Sequence, residues 1–542
     1  MRLGLVCAFS VFVGACAQAP PTADTVLVNG KVFTSNAQQP WAEALAIRGD
    51  RIVGVGDTAT IRAQAGSASR VIDLGGRTVV PGFNDSHQHI GIFPAPARLK
   101  LSEPEPTIAE VESQLAEVLK TAEPGQPIRG SIGETVWGDP KATRDWLDAK
   151  APKNPVWLMN FTGHGLLSNS AGLTMVDIGE DIQDPDGGVF VRDAKKRLNG
   201  HLEEYAAYLA ERRLGIKAGP DAAKAAYQKY AAGATALGIT TTQLIGDALP
   251  IATLSKMLVE SATPMRWHVY RFPIKEAGQE TTDSRPPLPP QPSPTIDVRG
   301  MKFILDGTPI ERLGFMRTPY RDAPSERGRA NFSQARLDEF VGWAYGSEDP
   351  ILMHAFGDAA IDAYVSALER KGRAEIWKEK RPRIEHGDMM SPDLIQRVKA
   401  IGAVVVQNPA HLMFTDGFKI RYQPEQVAWM QPLKSLLAAG IPLAIGSDGP
   451  ENPFLNVMWA TTHATRPEEA LTREQAVSAY TAGSAFAEHA EKEKGQLVIG
   501  KLADLAVLSK DLFTIPVDQL PTITSEMTMI GGKVVFQTGV VH

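Results

Sequence analysis

Cysteine is almost absent: the 542 residues hold only Cys7 and Cys16. Cys7 sits inside an apolar leader, so the mature chain can form no disulfide. Its stability has to come from packing or a bound metal. A basic surplus is lacking as well. Lys and Arg number 56 against 62 Asp and Glu, a formal charge of −6. This argues against a nucleic-acid partner, which would favour a basic face. No internal repeat is apparent. The 43% hydrophobic and 22% charged content is that of an ordinary soluble globular protein.

The N-terminus reads as a targeting segment rather than as part of the fold. A short positive start, Met1-Arg2, precedes an apolar stretch over residues 3–13, too short to span a bilayer as a mature helix. It ends in Val13-Gly14-Ala15-Cys16, which resembles the bacterial lipobox. Residues 1–15 are therefore expected to be a signal peptide and residues 16–24 a flexible tether. Contact with a membrane is expected only through a lipid on Cys16. Ala17 rather than Asp follows the cysteine, which points to an exported lipoprotein on the periplasmic face of the outer membrane. An ordinary signal peptide containing a cysteine is the alternative.

Residues 25–75 are a run of short strands with turn signals at Asn29-Gly30, Gly49-Asp50 and Gly75-Gly76. Residues 491–542 have the same character. Neither end makes a convincing sheet alone, so the simplest arrangement is one small composite β-sandwich domain built from both. Between them, residues 76–490 alternate strand and helix, which argues a parallel sheet with crossover helices. The expected strands cover the run into the His-x-His motif and residues 238–244, 266–272, 301–305, 351–354, 383–386, 403–407 and 443–448. Eight parallel strands are the count of a closed (β/α)8 TIM barrel. An insertion at about 95–218 is too long for a connector and is expected to be a lid or substrate-binding subdomain. It should contain a capped helix from Thr107 to about Ala122 and a strand over 155–160. A helix over 221–237 should feed the second strand, capped by Gly238. Residues 285–295 are Pro-rich and expected to be extended.

The chemistry gathers at the expected strand ends. His87 and His89, at spacing i, i+2, share one face of an extended backbone, and paired imidazoles suit a divalent metal such as zinc. His354, His386, Gln407 and Asp448 each close an apolar run, and Lys302 lies near the start of another. Core strands have no reason to end repeatedly in polar groups, which are costly to bury unpartnered.

Together with Val80-Pro81-Gly82-Phe83-Asn84-Asp85-Ser86-His87-Gln88-His89, the runs Gly238-Ile239-Thr240-Thr241-Thr242, His354-Ala355-Phe356-Gly357-Asp358, Ile384-Glu385-His386, Gly446-Ser447-Asp448 and Gly500-Lys501-Leu502-Ala503-Asp504-Leu505 carry a resemblance. The chain resembles the metal-dependent amidohydrolase superfamily, in its amidohydrolase family 3 or YtcJ-like branch, over nearly the whole mature sequence. The resemblance implies one or two divalent ions, zinc by default. His87 and His89 would hold one ion with Asp448 close by, and His354 and His386 a second. Lys302 would bridge them as a carboxylated lysine; the alternatives are an ordinary barrel lysine, or Asp306 as ligand from the same strand face. Metal-activated hydroxide would attack a carbonyl carbon, with Asp448 taking the proton and passing it to the leaving group. Deaminases of the superfamily usually carry a Glu three residues after the strand-five His, whereas this chain has Gly357, then Asp358. That favours an amide-like bond and makes Asp358 a partner or cap of the next helix.

The expected activity is hydrolysis of a non-peptide C–N bond in an amide, cyclic amide or N-acyl compound. The alternatives are lactone or ester hydrolysis, deamination, or an inactive envelope binding protein. The expected partner is a small-molecule substrate, contacted by His164, Tyr320 and Gln407; oligomeric state is left open. Glu203 and Glu204 read as a solvated helix start. His268, His411, His463 and His489 receive no role, and Trp137, Trp146 and Trp157 read as core.

Overall fold

The computed structural model describes residues 22–278 and 290–540. The leader, the anchor Cys16 and all but the last residues of the tether fall outside the described residues, as does about half of the Pro-rich excursion. Among the described residues no helix is long and apolar enough to cross a membrane.

Eight strands form one parallel sheet, each paired in register with the next: β1 (Phe83–Gln88), β2 (Ile239–Gly246), β3 (Arg266–Arg271), β4 (Ile296–Ile304), β5 (Ile351–Ala355), β6 (Arg383–His386), β7 (Val404–Gln407) and β8 (Leu443–Ile445). From β5 to β8 every strand residue is buried, as expected where helices cover a parallel sheet. The sheet curls until β8 meets β1. The backbone N–H of Asp448 donates to the His87 carbonyl at 3.0 Å, and Ser447 N–H donates to the Asp85 carboxylate at 2.8 Å. Gly446 permits the approach: a Cβ there would lie 2.6 Å from the His87 backbone nitrogen.

One boundary differs from the sequence reading. The run ending at Val80 does not lead into the His-x-His motif as a single barrel strand. Thr78–Pro81 belongs to the small domain, paired with Lys31–Phe33 and Leu505–Leu508. The chain turns at Gly82, whose Cβ would strike Thr240 at 2.2 Å, and a separate barrel strand starts at Phe83. A β-branched run states that a strand is buried but not which sheet receives it.

The small domain is a sandwich of two sheets. One has the order Arg51–Gly56, Ala44–Arg48, Ala23–Val28, Ala65–Asp73. The other runs Lys533–Gln537, Ser525–Ile530, Leu505–Leu508, Thr78–Pro81, Lys31–Phe33, Trp41–Ala42. Leu27, Ile47, Ile72, Val79, Val507 and Met529 fill the space between, so both chain ends supply one core. The hairpin at Gly49-Asp50 forms, with Gly49 at φ 59°. A short helix, Thr58–Arg62, stands where only strands were expected.

The insertion is a subdomain with its own core. Its sheet has the order Gly188–Arg192, Leu198–Glu204, Gly165–Ser168, Val156–Asn160, Ile128–Ile132, Ala97–Arg98. Helix Ile108–Val118 packs on one face through Val111 and Leu115, and the Thr107 hydroxyl caps it by accepting from Glu110 N–H at 3.2 Å. The helical segment Tyr205–Ala236 then returns to the barrel. It begins before the expected start at Asp221 and breaks at Gly219-Pro220, where Gly219 takes φ 82°. Proline cannot donate the helical bond, so two helices meet there. Gly238, at φ 83°, follows the second.

Candidate active site and metal centre

The site lies over the C-terminal ends of the barrel strands. The end of β1 supplies His87 and His89, whose Nε2 atoms lie 3.2 Å apart. Lys302 rises from β4 with its Nζ 3.2 Å from His87 Nε2. The His354 ring, on β5, has its centroid 4.4 Å from that of His386 on β6, and His386 lies 4.9 Å from His87. Asp448, just past β8, faces them: its Oδ1 is 3.9 Å from His87 Nε2 and 3.7 Å from His89 Nε2, and its Oδ2 is 3.7 Å from His386 Nδ1. His386 and Asp448 both occupy the left-handed region, at φ 69° and 42°, a strain held in place by the closed barrel.

The Nδ1 atoms of three imidazoles near the centre are held by neighbouring side chains. Glu385 Oε2 lies 2.5 Å from His87 Nδ1, and Asp247 Oδ2 lies 2.5 Å from His89 Nδ1. Asn408 Oδ1 lies 2.8 Å from His386 Nδ1. Carboxylate or carbonyl partners on the outer nitrogen set tautomer and ring direction and leave the inner nitrogen to bind. Glu385 is itself locked by Arg383, whose Nε donates to it at 2.7 Å. The charge states divide. Against burial, Asp247 raises His89 and Asp388 brings His411 up to about 10, so these two must give up a proton to hold a cation. The other three rings go the opposite way. Burial pushes His87 down to about 4, and holds His354 and His386 well below the ordinary value, so these rings are neutral donors at pH 7. Burial raises Asp448, but the surrounding imidazoles outweigh it and keep the carboxyl well below its usual range. Burial brings Lys302 down to about 8, and it forms no ion pair among the described residues.

Two sets of ligand atoms lie within 4.8 Å of one another: His87, His89 and Asp448, and His386, His411 and Asp448. The first matches the set expected for one ion. In the second, His411 stands where His354 was expected. His411 had received no role. It follows β7 on a short turn, its Nδ1 2.9 Å from Asp388 and its Nε2 3.9 Å from Asp448. Its only sequence signal was a place four residues past a strand end. His354 remains beside the centre, with its buried Nδ1 3.2 Å from Asp306 Oδ1. Imidazole nitrogens converging on one carboxylate fit a divalent cation.

Other expected residues are placed differently. Tyr320 is not at the cavity: it is 1% exposed, packs with Phe356, Phe418 and Tyr422, and donates its hydroxyl to the Gly314 carbonyl at 2.6 Å. Gln407 is buried, and its amide donates to the His386 carbonyl at 2.6 Å, so it holds the β6 end and does not face substrate. Asp306 is no rival ligand to Lys302, because its carboxylate accepts the backbone N–H of Phe315, Phe356 and Gly357 at 2.8–2.9 Å. Asp358 opens the helix Asp358–Lys371 and accepts from Arg317 N–H at 2.9 Å. Glu204 is not solvated. It is buried, takes φ 55°, and holds His164 Nδ1 at 3.1 Å. Glu203 pairs with Arg329 instead. His164 lines the cavity, with its ring centroid 4.7 Å from that of His354.

That cavity, about 290 Å³, opens above Asp448, His386 and His354. Its far wall is apolar: Phe161 from the insertion, with Ile310, Phe356, Phe414 and Phe418 from barrel loops. Such a chamber receives an apolar group and leaves one polar end at the centre.

The profile of the amidohydrolase family matches residues 70–536. The N-substituted formamide deformylase of Arthrobacter pascens is 28% identical over 91% of this chain and 94% of its own. YtcJ of Bacillus subtilis (strain 168), an amidohydrolase by name, is 26% identical over 94% of this chain and 98% of its own. Among solved structures, an uncharacterized metal-dependent hydrolase from Pyrococcus horikoshii superposes with a TM-score of 0.69 at 19% identity. That match covers 91% of this chain and 99% of the other, and it shows a shared fold.

Proposed function

The chain belongs to the amidohydrolase family, and we propose that it hydrolyses the C–N bond of a small N-acyl compound or amide carrying an apolar group. The observation that carries this reading is the convergence of imidazoles, Lys302 and Asp448 beneath an apolar chamber. His87, His89 and Asp448 would hold one divalent ion, and His386 with His354 or His411 a second; zinc suits the nitrogen-rich set. A metal held there would lower the pKa of a water toward neutrality and polarise the substrate carbonyl.

Lys302 would join the two positions after carboxylation. Its amine attacks carbon dioxide, forms an N–C bond and releases a proton, turning a cation into an anionic oxygen donor. The neutral amine this needs is favoured by a pKa brought down to about 8. Asp448, held ionised, accepts a proton from the attacking water and returns it to the departing amine. The amide C–N bond breaks, the water oxygen stays on the acyl carbon, and the nitrogen leaves protonated. Glu385, Asp247 and Asn408 keep the rings directed, while Phe161 and Phe414 shield the chamber from solvent.

Deamination is disfavoured by a local fact. A side chain at position 357 has no room, because a Cβ there would lie 2.0 Å from the Phe315 carbonyl oxygen. We propose export with a lipid on Cys16, supported by the apolar stretch over residues 3–13 and the Val13-Gly14-Ala15-Cys16 run.

The test is Asp448→Asn assayed on N-formyl and N-acetyl amines of apolar compounds, with metal content measured beside it. The expected result is loss of turnover with the fold intact and metal retained at least in part. Full activity in this variant would overturn the mechanism.

A further inference from the structure

A second cavity, about 310 Å³, adjoins the catalytic one and shares Glu103 and Phe161 with it. Its walls come from the insertion. On the strand Ile128–Ile132, alternate residues face opposite ways: Ile128 and Ile132 enter the insertion's own core, while Arg129 and Ser131 line this cavity. Arg129 stands directly opposite Arg98 on the neighbouring strand. Like charges in that position repel one another. Neither guanidinium forms an ion pair or hydrogen bond among the described residues. Arg129 is only stacked on Phe93, at 3.6 Å from the ring centre. The carboxylates nearest in effect are Glu211 and Glu103, and neither pairs with it. In the same wall Asn160 is 1% exposed, with its amide nitrogen lacking any acceptor. A buried donor without a partner is costly. Two unpaired guanidiniums and an orphaned amide N–H around one cavity are a set of donors awaiting an anion, and arginine suits a planar carboxylate in particular.

We propose that this cavity is a carboxylate-binding subsite, so that the preferred substrates are anionic amides. The acyl group would occupy the aromatic chamber, the scissile bond would lie at Asp448, and a carboxylate on the amine side would reach Arg98 and Arg129. The assignment of the scissile bond rests on the hydrolase reading above; the anion subsite does not.

The experiment uses the metal-loaded full chain and N-benzoyl derivatives of glycine, 4-aminobutyrate and 6-aminohexanoate, each beside its uncharged carboxamide. Binding is followed by calorimetry and turnover by benzoate release. For at least one spacer the acid is expected to bind roughly 10- to 100-fold tighter than its carboxamide, the range of one or two charge-assisted hydrogen bonds. Arg129→Gln should erase that preference by raising KM for the acid toward that of its carboxamide. Arg98→Gln, at an exposed position that no stacking holds, should reduce it without risk to the fold. Equal binding of acid and carboxamide at every spacer, or an equal loss for both in Arg129→Gln, would overturn the subsite while leaving hydrolysis standing. Acids that bind through Arg129 but are never cleaved would uphold the subsite and refute the reaction. Absence of binding by every acid would overturn the subsite.

Discussion

Replacing Glu385 by Gln tests whether the ring directions at the metal centre are set from behind. Glu385 is fully buried. Its Oε1 accepts Arg383 Nε at 2.7 Å, and its Oε2 accepts Arg383 Nη2 at 3.0 Å and faces His87 Nδ1 at 2.5 Å. Burial would raise this carboxyl, but Arg383 and His87 outweigh it and keep it ionised. Glutamine is nearly isosteric, so packing is preserved. It carries one acceptor where three donors converge, and its own NH2 must face either Arg383 or His87. Arg383 keeps Gln243, Tyr270 and the Ser86 carbonyl but loses its compensating charge. Removing one member of a buried pair costs about 3–5 kcal/mol. Disturbing the partner of a ligating histidine lowers metal affinity roughly 10- to 100-fold. A chelator competition titration reads the affinity, and the urea midpoint reads the stability. A dissociation constant within about twofold of the parent, with an unchanged midpoint, would refute the claim that Glu385 orients His87.

Two further outcomes follow from the same geometry. Lys302→Ala should lose metal, activity or both, and bicarbonate should speed metal reloading of the carbon dioxide-depleted parent but not of the variant; unchanged metal content would remove Lys302 from the centre. Gly446→Ala places a Cβ 2.6 Å from the His87 backbone nitrogen, so it should cost about 1–3 kcal/mol as overpacking does and weaken metal binding by shifting β1 from β8; a parental melting temperature together with parental metal affinity would show that the closure tolerates the extra atom.

Much of the molecule was legible because its signals are local. Strands β5, β7 and β8 are short apolar runs, and polar groups sit at or beside their ends at positions 354, 407 and 448. Burial of these runs follows from hydrophobic patterning alone. So do the composite sandwich, whose two halves are each too small to bury a core, and the capped helix after Thr107. What a polar strand end touches is not local. Gln407 and His386 carry the same kind of signal, yet one braces a carbonyl and the other faces the cavity, because register and barrel tilt decide which side chain points where. Tyr320 was misread for that reason: a loop folds back and consumes its hydroxyl. Glu204 was misread because a helix start that would be wet in isolation is covered by the insertion. His411 and the paired Arg98 and Arg129 emerged only from packing, since their partners lie far away along the chain. Sequence by itself determined the barrel, the sandwich and the kinds of group at the centre, through periodicity and the cost of burying polar atoms. Tertiary structure alone decided which groups face one another, because a contact between distant segments depends on the closed geometry of the whole sheet and leaves no mark in the spacing of either.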